Sequence, residues 1–518
     1  MSQESASEKS LDEIMDEDSR VLAEMGYTQE LHRGMSGFSN FAVSFSIISI
    51  LAGCITSYNI ALRSGGPAAL TVGWVVVGLF VTCVALAMAE VCSRYPTAGG
   101  LYFWAAKLAK SNRRVWAWYV GWFNFLGEIA VTAAIDFGCA TTWMAFSNLV
   151  WGVEVTPERV FALFVAIIVA HALLNTFGVN LVSLLSMVSA WWHVVGTLVI
   201  VGALWILPDS HQSVSWTLTE YHNETGWGFA PYVMLMGLLM AQYTYTGYDA
   251  SAHVAEETKQ AQIAAPRGIV MSVVVSVVGG FLLLYSITAS IPDGSQEGLS
   301  ALSATDTGLP PAQVFLDALD SPFTAKLLLF IVCVAQFFCG MASVTANSRM
   351  SFAFSRDNAL PGSRIWAKVN QRTGTPTNSI WFCVVLSILL ASPALFNATA
   401  YLAVTSIAVI GLYIAYVVPV LLRRLNTDFT PGPWHLGRWS PVIGWVAIAW
   451  VCVICVLFVL PPARPITVDT FNYAPVAVLA VLVVATGAWF AGGRTHFLHG
   501  MKDEHTTRAL DEIVPDES

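Results

Sequence analysis

Five ionisable side chains lie inside long apolar runs of this 518-residue chain: Glu128, Asp136, His171, His193 and Asp249. Holding such groups in hydrocarbon costs free energy, so each marks a candidate for work rather than for solubility. A carboxylate there pairs with an ammonium group or takes up a proton. A histidine changes charge near neutral pH. Each also has a plainer reading, as a packing residue that makes one hydrogen bond to a neighbouring helix. Asp136 follows Glu128 by about two helical turns, which puts it on a similar face, toward an outer vestibule. His171 belongs to no motif and reads as structural.

The elements that must position these groups are membrane helices. The chain is 56% hydrophobic and only 11% charged, against about 25% charged in a soluble domain. Its 19 tryptophans suit the interfaces of a bilayer. A span needs about 20 mainly apolar residues. Twelve such runs occur, near 38–61, 70–92, 118–148, 158–178, 183–207, 228–252, 268–291, 324–354, 378–396, 400–421, 440–460 and 473–492. The third and eighth are long enough to tilt or to extend beyond the bilayer. The expected fold is therefore an all-α integral membrane protein with twelve transmembrane helices.

Charge sets the orientation. With the N-terminus inside, 21 of the 25 Lys and Arg residues fall on the inner side, which places both termini in the cytoplasm. The net charge of −9 lies wholly at the ends, −6 over residues 1–36 and −3 over 494–518. These read as solvated acidic cytoplasmic tails flanking a transporter domain over 37–493. The start lacks the basic-then-apolar pattern of a signal peptide. Nine scattered cysteines, including Cys452-x-x-Cys455 inside an apolar run, point to buried thiols rather than to disulfides or a metal site.

Two spans look interrupted. The first runs from Ser44 through Ser49 and Gly53 to Ser57, and the sixth from Gln242 through Thr246, Gly247 and Tyr248 to His253. Both mix small hydroxyl residues with a mid-span glycine, which tolerates a break in the backbone; close helix packing is the alternative use of small residues. Breaks in spans one and six are what an inverted repeat of two five-helix halves requires, with two helices appended.

Three motifs carry a resemblance. Glu90 to Trp104 (EVCSRYPTAGGLYFW) after the second span, Gly247-Tyr248-Asp249-Ala250 with Glu256-Glu257-Thr258 at the sixth, and Ser355 to Pro361 (SRDNALP) after the eighth resemble the signatures of the amino acid–polyamine–organocation superfamily. Gly26 to Leu31 (GYTQEL) and Gly121 to Ala130 (GWFNFLGEIA) resemble its amino acid/choline transporter branch. The resemblance implies the LeuT-type fold and secondary active transport by alternating access. One departure is the first-span break, where many members carry Gly-x-Gly and this chain has Ser49 and Gly53.

The resemblance also implies a site. Ser49, Ala52 and Gly53 would meet a substrate carboxylate, opposite Thr246, Gly247 and Tyr248, with Tyr248 as an aromatic gate or a packing ring. Gly127, Glu128 and Thr132 would line the pocket, Glu128 meeting an amine or a proton. His193 falls where some proton-coupled relatives carry a lysine, which makes it a coupling candidate beside a purely structural role. Glu90, Arg94, Glu256, Glu257, Arg349, Arg356 and Asp357 would form a cytoplasmic gate or simply solvate helix ends.

Among other classes, an enzyme would need a catalytic or metal motif, and neither H-E-x-x-H nor a P-loop occurs. A channel would want a filter segment. The expectation is a plasma-membrane importer of a small amino acid, 4-aminobutyrate (GABA) or a relative, coupled to protons. Choline or amine uptake, amino acid exchange and a transporter-like sensor are the alternatives. Expected partners are the solute, a proton and membrane lipids, with no cofactor, metal or nucleic acid.

Overall fold

A backbone crossing lipid must satisfy its own N–H and C=O groups, which favours helices. The computed structural model describes residues 11–177, 179–319, 321–396, 400–467 and 470–498. Among these residues no strand forms, only three isolated bridges. Eleven helices are long and apolar enough to cross a membrane. They follow eleven of the twelve runs in order. The remaining run, the sixth, breaks into Ala230–Gly237, Leu239–Thr244 and Ala250–His253. The first span is also divided, into Gly37–Ile48 and Ile50–Thr56.

Length and burial sort the spans. The third, Arg113–Trp151, has 39 residues, about 58 Å of helix, nearly twice the hydrocarbon thickness of about 30 Å. Over an apolar stretch of 18 residues, 83% of the positions are buried in the first span and only 17% in the last, Ala474–His496. The first therefore lies in the interior, and the last turns most of its surface outward. The second span (Gly66–Arg94), the seventh (Ala261–Ala289) and the pieces of the first and sixth pack on one another. The third, fourth (Pro157–Thr176), eighth (Pro322–Arg356) and ninth (Thr377–Ala391) form a second packed group. The tenth, Ala400–Leu425, touches both.

The N-terminal segment departs from the solvated tail expected of it. Residues 17–36 dock against one end of the bundle. Leu22, Leu31 and Met35 are buried, and their apolar contacts outweigh the acidic composition that suggested exposure. Asp18 accepts hydrogen bonds from the Gln260 and Ala261 N–H groups at 2.8 and 3.1 Å, at the start of the seventh span. A carboxylate suits a helix N-terminus, where backbone donors lack partners. Met35 exchanges backbone hydrogen bonds with Glu257 and Lys259 at 2.8 and 3.0 Å. Leu498 N–H reaches the Asp357 carbonyl on the same end at 3.2 Å. We call this end the terminal face. Residues 1–10 and 499–518, the outer parts of both expected tails, lie outside the described residues.

Candidate functional site

The candidate site lies where the two divided spans meet. Ser49 adopts a left-handed conformation, φ 33° and ψ 81°, uncommon for a residue with a side chain. Its hydrogen bonds hold it there. Its carbonyl accepts from Ala52 and Gly53 N–H at 2.8 Å each, and its hydroxyl lies 2.6 Å from His193 Nε2. Two of the backbone donors expected to meet a carboxylate are thus occupied by Ser49 in this conformation. Gly53 gives close approach: a Cβ there would fall 2.6 Å from Thr244 Cγ2.

The sixth span is unwound over residues 245–249. Gly247 has φ 94°, and a Cβ on it would sit 2.1 Å from Ile47 Cγ2. Both facts require glycine. Ser44 of the first span bridges this gap. Its hydroxyl donates to the Tyr248 carbonyl at 3.0 Å and accepts from Ser251 N–H at 2.9 Å. The Thr246 hydroxyl turns back to the Tyr243 carbonyl, 2.7 Å away. Tyr248 is fully buried, its ring 5.0 Å from that of Tyr416.

Facing this break, the third span brings Glu128, only 2% exposed. One oxygen of Glu128, one of Asp249 and a ring nitrogen of His253 all lie within 4.8 Å of one another. Tyr416 OH donates to Asp249 Oδ1 at 2.6 Å. Asp249 Oδ2 is 3.3 Å from His253 Nε2, and the Asn124 amide nitrogen approaches the same ring nitrogen at 3.3 Å. His253 Nδ1 donates to the Ala98 carbonyl at 2.9 Å. Two carboxyls this close in a dry interior hold two negative charges only when a cation lies between them. The arrangement suits an organic ammonium or a proton. Glu128, Asp249 and His253 are all buried in this structure.

The other pocket residues face elsewhere. Gly127 serves helix packing, since a Cβ would fall 2.7 Å from Leu412 Cγ of the tenth span. Thr132 bonds to Ser343 at 2.8 Å and accepts from Asn347 at 3.1 Å, both on the eighth span. Ala52 is buried at the first-span break. His193 donates Nδ1–H to the Ser189 carbonyl at 2.8 Å, which leaves Nε2 to face Ser49. His171 and Asp136 meet at 2.9 Å, both fully buried, and join the third span to the fourth.

The charged residues expected at the gate divide into separate clusters. Glu256 pairs with Arg356 through two hydrogen bonds at 2.9 and 3.0 Å. It also accepts the Ala98 N–H at 2.9 Å. Burial alone would raise the Glu256 pKa, but the charge and hydrogen bonds of Arg356 outweigh it and hold the value below the ordinary one. Asp357 accepts from Tyr27 and Tyr102 at 2.7 and 2.9 Å. Burial still pushes its pKa up. Arg356 lies over the Tyr27 ring, 4.1 Å from its centre, and Glu257 pairs with Arg349 at 2.8 Å. Glu90 is not part of this cluster. It meets Arg424 at 3.2 Å and Arg423 at 3.7 Å, joining the second span to the tenth. Arg94 rests against the Tyr95 ring at 5.7 Å.

Sequence reasoning singled out Asp249 without giving it a role and passed over His253, Asn124 and Tyr416. Asp249 and His253 stand four apart, the spacing that puts two side chains on one helix face. That signal was present in the quoted motif. Tyr416 and Asn124 carried none.

Residues 35–484 match the family described as amino acid permease. The chain is 41% identical over 504 residues to amino-acid permease BAT1 of Arabidopsis thaliana, covering 93% of this chain and 96% of that protein. It is 40% identical over 491 residues to the BAT1 homolog of Oryza sativa subsp. japonica, covering 92% and 94%. It is 30% identical over 519 residues to the GABA-specific permease of Saccharomyces cerevisiae, covering 96% and 89%.

Proposed function

The chain belongs to the amino acid permease family, and from that premise we propose that it imports GABA or a closely related amino acid together with a proton. It is a multi-pass membrane transporter rather than an enzyme, and its substrate is an amino acid. The observation that carries the finer reading is the buried Glu128–Asp249 pair set against the two span breaks. The substrate ammonium enters between the two carboxylates and supplies the charge they lack. Its carboxylate turns toward the first-span break, where Ile50 and Leu51 N–H begin a helical segment. Charges separated at the two ends of one small molecule suit GABA. A relative named a GABA-specific permease supports the choice.

Alternating access follows from the two packed groups. Glu128 belongs to the group of the third span and Asp249 to that of the first and sixth. A cation that bridges them draws the groups together. The terminal face is cytoplasmic in this reading, because the basic residues concentrate there, and the membrane is the plasma membrane. His193, bonded to Ser49 at the break, answers to the proton gradient from the side of the fifth span.

The test is uptake of labelled GABA into proteoliposomes, with and without an inward proton gradient and with no internal solute. Accumulation driven by the gradient supports proton-coupled import. Uptake only after preloading with unlabelled amino acid would replace symport by exchange. Competition by choline but not by amino acids would overturn the substrate assignment.

A further inference from the structure

His253 joins the acid pair to the gate. A backbone carbonyl only accepts, so the contact of Nδ1 with Ala98 O at 2.9 Å places a hydrogen on Nδ1. The proton that can come and go is therefore on Nε2, the nitrogen facing Asp249. The same Ala98 residue uses its N–H to bind Glu256 Oε1 at 2.9 Å, and that oxygen also receives Arg356 Nη2 at 2.9 Å. One residue thus has the buried ring on one side and the gate ion pair on the other. The turn is fitted to the ring: a Cβ on Gly100 would approach His253 Cε1 to 3.2 Å, and Gly100 has φ 49°.

We propose that His253 is a positioning residue that transmits the charge of the Glu128–Asp249 pair to the terminal gate through Ala98. With Nε2 protonated, the imidazolium pairs with Asp249 and its Nδ1–H grips the Ala98 carbonyl strongly. Ala98 then holds Glu256 in register with Arg356, and the gate stays shut. Once Nε2 has lost its proton, a lone pair faces the Asp249 carboxylate 3.3 Å away, the ring withdraws and the gate loosens. The titratable groups around the ring are Glu128 of the third span, Asp249 of the sixth and Tyr416 of the tenth. Glu256 and Arg356 lie beyond Ala98. The gate therefore opens toward the less acidic side, which fits release of substrate and proton together. This inference rests on reading Glu128 and Asp249 as the pair that holds the positive charge.

The test needs no substrate. Hydrogen exchange is measured on the full-length protein in lipid nanodiscs at pH 6 and pH 8.5, corrected for the intrinsic pH effect, over residues 95–104 and 254–260. The expected result is at least a threefold rise in exchange at the higher pH in the wild type, and no such rise in His253→Gln. Asp249→Asn, which removes the partner instead of the ring, is expected to lose the rise as well. It serves if His253→Gln does not fold. A pH-independent wild type, or either folded variant keeping the wild-type dependence, overturns the proposal. Failure of the wild type to take up GABA with this exchange pattern intact would overturn the substrate assignment alone. In transport, His253→Gln is expected to flatten the pH profile of the maximal rate.

Discussion

Among the described residues two Asp–His pairs lie fully buried, and they differ in what surrounds them. Asp136 and His171 join the third span to the fourth, inside one packed group. Gly340 of the eighth span closes over them, so near that a Cβ there would fall 1.9 Å from Asp136 Oδ1. Asp249 and His253 lie in a divided span of the other group, with Glu128 reaching them across the boundary. The chemistry of the two pairs is the same. One joins helices within a single packed group, and the other sits at the boundary between two groups. An intramembrane charge takes its surroundings from the packing of its neighbours as much as from its own type.

The strongest way to break this comparison is at Glu128. A bound substrate ammonium that loses one of its two buried carboxylate partners forfeits roughly 3–5 kcal/mol, so Glu128→Gln is expected to lower uptake roughly 1,000-fold with little change in thermal stability. Near-normal uptake would remove Glu128 from the site. Gly340→Ala addresses the other pair. It is expected to destabilise the protein by about 2 kcal/mol through crowding, seen as a lower melting temperature, with transport per folded molecule preserved. A selective loss of transport in that variant would erase the distinction between the two pairs.

His193 sharpens the contrast, because it bonds to the first-span break without any acid beside it. His193→Ala is expected to reduce the response of uptake to the proton gradient by about tenfold, one pKa-unit equivalent of coupling. An unchanged response would return His193 to packing.

The smallest effect belongs to the gate. Glu256 has a folded pKa held below its ordinary 4.5. It therefore contributes stability that is present above pH 4.5 and is lost as pH falls through the lower folded value. Melting curves recorded from neutral pH down to acid should show this loss in the wild type and a smaller one in Glu256→Gln. Equal acid slopes in the two proteins would remove the Glu256–Arg356 pair as its source.

Much of this architecture was legible along the chain. The eleven long helices follow apolar runs, and the breaks fall at Ser49 and around Gly247, where hydroxyl residues and glycine cluster. The site was legible only in part. Ser49 with His193, and Glu128 with the sixth span, come together in space. Glu90 goes to Arg423 and Arg424, while Gly127 and Thr132 face the tenth and eighth spans. Residues 17–36 lie docked because four apolar side chains, Leu22, Met25, Leu31 and Met35, find a surface that composition does not reveal.

The sequence by itself determined that the chain lives in a membrane, where its helices run and where two of them are interrupted. These are local properties: transfer of a side chain into lipid and the dihedral freedom of one residue depend on few neighbours. Tertiary structure alone decided the partners. A helix turns about 100° with each residue, so a small change in rotation or register exchanges one facing side chain for another. Tyr27 meets Asp357 across 330 residues of chain, and Tyr416 meets Asp249 across 167. No local pattern encodes such a meeting, because it depends on the packing of all the helices between them.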